Sequence, residues 1–95
     1  MADLALHTET EDQQAMTSIL QRTALPESVL GYDVRVDEDS SGESALWVYL
    51  TVNDKKVSSD SKKLNELRSF ISAAQKSALL EGISRWPYFE FRNKR

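Results

Sequence analysis

The stretch Ala45–Asn53, ALWVYLTVN, constrains the fold of this 95-residue chain more than any other. Leu46, Val48, Leu50 and Val52 alternate with Ala45, Trp47, Tyr49 and Thr51, so an extended backbone here carries apolar or aromatic bulk on both sides. A half-buried strand needs one apolar face. Apolar residues on both faces mark a strand at the centre of a sheet, with material over each side.

The flanking segments supply its neighbours. Tyr32–Asp37, YDVRVD, sets Tyr32, Val34 and Val36 against Asp33, Arg35 and Asp37, the pattern of a strand that is apolar inward and charged outward. The loop Glu38–Ser44, EDSSGES, has turn chemistry and predicts an antiparallel hairpin with a long, mobile, acidic tip. Arg85–Arg92, RWPYFEFR, reads as a third strand. Its Pro87 has no N–H to give a ladder, so this strand belongs at an edge.

Two helices complete the chain. The first begins near Thr8 or Thr10, because Thr8-x-x-Glu11 and Thr10-x-x-Gln13 both fit a capping box. Glu9, Glu11 and Asp12 place negative charge at its positive end. Met16, Ile19, Leu20 and Thr23 form its buried stripe, Pro26 stops it, and 26–30 form one further turn with Gly31 as the exit. The second helix runs from a cap within Ser58–Asp60 to about Glu81. Leu64, Leu67, Phe70, Ile71, Ala74, Ala78 and Leu79 recur along it at three- and four-residue steps. Gly82 is a left-handed stop, and Ile83 packs back on the last turn.

The expected fold is therefore α+β: a single small domain, α-β-β-α-β, with a three-stranded mixed sheet and two helices on one face. The domain spans 8–92, with 1–7 and 93–95 as flexible termini. The doubly apolar strand belongs in the middle, which favours strand order 1-2-3 over the all-antiparallel 2-1-3, and the second helix is the crossover to a parallel third strand.

Composition narrows the chemistry. The chain has no cysteine, which excludes disulfides and thiol nucleophiles and accords with a reducing, cytoplasmic setting. The start, MADLALHTETEDQQ, lacks the basic and apolar regions of a signal peptide, and no apolar run approaches the ~20 residues of a membrane span. The one histidine, His7, lies in the frayed start, so no triad or Cys–His pair can be built. The three glycines, at 31, 42 and 82, are scattered and form no phosphate cradle. Asp37-x-Asp39-x-Ser41-Gly42 imitates half of a calcium loop, but the position of the bidentate glutamate holds Val48. No metal or cofactor is expected, and no enzymatic activity.

Charge is divided along the chain. Residues 1–54 carry eleven acids and two bases, and residues 55–95 ten bases and four acids. The plain reading is that the halves lie together and neutralise each other; the sharper one is a directed contact with a partner or a second copy.

With Val34, Val36, Leu46, Val48, Leu50, Phe89 and Phe91 turned to the helices, the other sheet face shows Trp47, Tyr49, Trp86 and Tyr88 with Arg35 and Arg92. These residue types dominate interface hot spots. The competing reading is that helix 1 or the N-terminal segment covers this face, or that Trp86 folds into the core. The expectation is a small non-catalytic protein–protein interaction module of a bacterial, cytoplasmic protein, binding another protein or forming a homodimer. An antitoxin, immunity or adaptor role follows only by analogy of size and charge. The alternative is a single-stranded nucleic-acid-binding domain that uses the same rings with Lys55, Lys56, Lys62, Lys63, Arg92, Lys94 and Arg95. Nucleic acid is the less favoured partner because the chain is acidic as a whole.

Overall fold

The structure, a computed structural model, describes residues 8–53 and 61–93. It contains α1 (Glu9–Arg22), β1 (Val29–Glu38), β2 (Ser44–Val52), α2 (Ser61–Leu80) and β3 (Pro87–Asn93). This is the expected α-β-β-α-β domain. The sheet has the order β1-β2-β3. β1 and β2 are antiparallel, with Val34 opposite Val48 and Arg35 opposite Trp47. β2 and β3 are parallel, from Leu46 beside Pro87 to Val52 beside Asn93.

Local chemistry sets each boundary. The capping box at α1 forms on Thr8 rather than Thr10: Glu11 N–H donates to Thr8 Oγ1 at 3.1 Å, and Thr8 N–H to Glu11 Oε1 at 2.8 Å. α1 ends earlier than Pro26 requires, because Thr23 turns extended and its hydroxyl bonds the Ile19 carbonyl at 2.7 Å. At the end of α2, Gly82 takes φ 76°. Ile83 N–H then reaches the Ala78 carbonyl at 3.1 Å, and Gly82 N–H the Leu79 carbonyl at 3.3 Å, the two bonds of a Schellman stop.

Three expectations change. The extra turn after Pro26 forms, with Val29 N–H on the Pro26 carbonyl at 3.0 Å, but it exits at Val29 rather than Gly31: β1 already begins there, and Gly31 sits beside a bulge in its pairing with β2. Leu79, placed on the buried stripe of the second helix, is exposed, since it lies about 100° round from Ala78. Asn93, expected in a flexible tail of 93–95, is the last residue of β3; the expected caps at 58–60, and the proposed flexibility of 1–7 and of 94–95, lie outside the described residues.

The core fills the space between both helices and one sheet face. Met16, Ile19 and Leu20 of α1 and Leu67, Phe70, Ala74 and Ala78 of α2 meet Val34, Leu46, Val48, Leu50 and Val52. Phe89 and Val36 pack at its margin.

One buried element was not anticipated. Asp12, read from the sequence only as negative charge at the positive end of the helix, is fully buried at 0% exposure. Its Oδ2 accepts from Arg85 Nη1 and from the Ser84 hydroxyl, both at 2.9 Å. Arg85 Nε in turn donates to Ser44 Oγ at 2.8 Å. The first turn of α1, the start of β2 and the approach to β3 are thereby tied to one another. Removing one partner of a buried pair leaves the other charge uncompensated. Asp12→Ala is expected to lower stability by about 3 kcal/mol, read as a drop in urea midpoint at unchanged slope. A loss under about 1 kcal/mol, the scale of an exposed pair, would show the network to be unimportant for stability.

Candidate functional site

The sheet face opposite the helices follows from the register. Three rows run across it: Arg35–Trp47–Tyr88, Asp33–Tyr49–Glu90, and Gly31–Thr51–Arg92. Neither helix contributes to this side, because the buried residues of both pack with the other face.

The rings are ordered by one another. Trp47 and Tyr88 stack, with centroids 4.9 Å apart and planes 22° from parallel. Such pairs contribute about 0.5–1.5 kcal/mol beyond their buried area. Trp47 Nε1 donates to the Glu38 carbonyl at 3.3 Å. Tyr49, at the centre, receives two guanidinium groups: Arg92 lies 4.0 Å and Arg35 5.7 Å from the ring centroid. Both distances fall within the range of cation–π attraction. Arg35 also holds Asp33 at 2.8 Å. Trp47, Tyr49 and Tyr88 are half-buried, and Arg35 and Arg92 exposed.

Of the six residues expected on this face, five form this cluster. Trp86 does not join it. It precedes β3, its carbonyl accepts from Leu46 N–H at 3.0 Å, and the residue is 43% exposed; among the described residues it makes no ring stack. Of the basic residues considered for nucleic acid, Lys63 pairs with Glu27 at 3.6 Å, and Lys62 is exposed on α2. Lys55, Lys56, Lys94 and Arg95 lie outside the described residues. Asp12–Arg85 and Glu27–Lys63 each join an acid of the first half to a base of the second, as the neutralising reading of the divided charge expects.

Asp39, seen in the sequence only as part of an imitation calcium loop, belongs to this site. Its Oδ1 accepts from the Ser41 hydroxyl at 2.6 Å, Ser41 N–H at 2.9 Å and Glu43 N–H at 3.1 Å. Gly42, at φ 87°, closes the turn with its N–H on the Asp39 carbonyl at 3.0 Å. The Asp-x-Ser-Gly pattern that imitated a calcium loop is thus an Asx turn, and the tip expected to be mobile is held by its own side chain. Asp39 Oδ2 accepts from Tyr88 Oη at 3.2 Å, which fastens the hairpin tip to the stacked pair. Among the described residues, no three His, Cys, Asp or Glu side chains are placed to hold a metal, and no helix is long and apolar enough to cross a membrane.

A concavity of about 490 Å³ lies elsewhere, between Ala24 and Pro26 and the α2 residues Lys62, Glu66 and Phe70. It contains none of the rings. Comparison with protein-family models, curated proteins and solved structures finds no match to this chain.

The Ser41 hydroxyl, foremost among its donors, holds the Asp39 carboxyl below the ordinary carboxylate value of 3.8. Desolvation, and then the Asp39 bond and charge, push the Tyr88 phenol above 10.0. A lowered carboxylate stabilises the fold above its ordinary value and loses that contribution as pH falls through the folded value. A raised phenol stabilises below 10.0 and loses the contribution as pH climbs through its folded value. Carboxyl carbon shifts followed by NMR should therefore place the Asp39 midpoint below 3.8. Ser41→Ala should move it up further than Tyr88→Phe does; the reverse order would mean that the turn does not govern this carboxylate.

Proposed function

We propose that this chain is a small non-catalytic interaction module that binds another protein, or a second copy of itself, through the open face of its sheet. The observation that carries the reading is the self-ordered cluster of Trp47, Tyr88 and Tyr49 with Arg35 and Arg92 on a side where, among the described residues, no helix packs. Rings held in place before binding lose little conformational freedom when covered, which lowers the cost of association. Arginine beside aromatic rings is the composition of interface anchors. A bacterial, cytoplasmic setting belongs to the same proposal, resting on a short, acidic, cysteine-free chain.

Single-stranded nucleic acid fits this face less well. Asp33, Asp37 and Glu90 share it with the rings and are exposed, so a phosphate backbone laid there meets carboxylates as well as arginines.

In a Trp86→Phe chain, the fluorescence of Trp47 should be quenched by acrylamide when the protein is alone and shielded when a partner is bound. Trp47→Ala and Tyr88→Ala should each leave a cooperatively unfolding domain while weakening association. A Trp47→Ala chain that no longer folds would make the ring a core residue and end the reading. An oligonucleotide titration should show no binding at low salt; binding that weakens steeply with added salt would favour nucleic acid instead.

A further inference from the structure

The two outer edges of the sheet are not equivalent. An unpaired edge is a template for another strand unless something blocks it. On β1, Gln13 of α1 donates its side-chain amide to the Val34 carbonyl at 2.6 Å, in the middle of the strand. On β3 the corresponding plug stands only at the start: Gln75 of α2 donates to the Pro87 carbonyl at 3.2 Å, and Pro87 has no N–H of its own.

Beyond Pro87 the described residues leave the edge uncovered. Leu46 N–H bonds the Trp86 carbonyl, so with the parallel register the backbone groups of Tyr88, Glu90 and Arg92 turn toward β2. Those of Phe89, Phe91 and Asn93 turn outward. Among the described residues no group bonds the outward N–H and C=O of Phe89 or Phe91. Phe91 is also 51% exposed although it lies on the helix side of the sheet, so the apolar layer is unfinished at this edge.

We propose that a second copy of the chain completes it, with β3 pairing antiparallel to β3 about a two-fold axis at Phe91. Side-chain charge selects this register over its neighbours. Outward-turned residues must face outward-turned residues across the new ladder, which leaves a few symmetric choices. An axis at Glu90 sets that carboxylate against its own copy, and an axis at Arg92 does the same with guanidinium groups; like charges directly opposite are destabilising. An axis at Phe89 puts Pro87, which cannot donate, against the outward groups of Phe91. An axis at Phe91 has neither fault. It sets Glu90 opposite the second copy's Arg92, twice by symmetry, and Phe91 against Phe91. It stays clear of the Pro87 plug.

Such pairing joins two three-stranded sheets into one of six, with all helices on one side and both ring clusters on the other. The interface uses the backbone edge rather than the ring face, so it stands or falls apart from the preceding proposal.

The test is a charge swap read by sedimentation equilibrium. The wild-type mass should rise from monomer toward dimer with concentration. Glu90→Lys should raise the dissociation constant about tenfold or more, since each site then opposes two cations. Glu90→Lys combined with Arg92→Glu should restore it to within about threefold. In the same samples, amide exchange at Phe89 and Phe91 should slow as dimer forms. A chain that stays monomeric overturns the proposal. So does a dimer indifferent to Glu90→Lys, a double variant no better than the single one, or a dimer lost in Trp47→Ala while Glu90→Lys retains it. That last outcome would move self-association to the ring face.

Discussion

Everything in this domain depends on β2 being hydrogen-bonded on both sides while helices cover it on only one. The strand donates and accepts with β1 along one edge and β3 along the other, so it cannot slide without breaking two ladders. Its even-numbered residues, Leu46 to Val52, are buried beneath both helices. Both helices of the described residues lie on one face, so neither covers the opposite face. The odd-numbered residues Trp47 and Tyr49 must therefore find neighbours within the sheet, and they do so in Tyr88, Arg35 and Arg92.

Two polar clusters hold this arrangement in register. Asp12, Ser84 and Arg85 lock the approach to β3 against the first turn of α1, and Arg85 reaches on to Ser44 where β2 begins. A parallel strand returns from a long crossover, here through α2, and loop-closure entropy opposes its docking. A buried, charge-assisted contact at its entrance gives that return a defined end point. At the hairpin, Asp39 satisfies its own turn and then holds Tyr88, so β3 is fastened to the β1–β2 tip as well as to β2.

The surfaces left over are of two kinds. One is an open face of rings with two arginines lying over Tyr49, suited to being covered by a large partner rather than to enclosing a small molecule. The other is the pair of sheet edges, which among the described residues are blocked by side-chain amides in the middle of β1 and only at the start of β3. Edge strands are usually defended by proline, charge or a covering side chain. The unguarded part of β3 carries its two charges in an order that complements itself under two-fold symmetry.

Much of this was legible in the residue pattern. The alternation of β2 placed it at the centre. Pro87 put β3 at an edge, and Thr8, Glu11 and Gly82 marked helix ends that the structure keeps. These are local effects, set by backbone geometry and by neighbours within a turn, and the sequence alone determined them. The sequence also put Trp47, Tyr49, Tyr88, Arg35 and Arg92 on one face, since parity along a strand fixes the side. It did not reveal that Trp47 stacks on Tyr88 or that Trp86 stands apart. Nor did it show that Asp12 is buried against Arg85 or that Asp39 steadies the hairpin. Each of those depends on which residues of different elements meet, and a carboxylate in a first turn or a polar loop reads alike whether water or an arginine faces it. Only tertiary packing decides that, because the desolvation and pairing that distinguish the two cases arise between segments far apart in the chain.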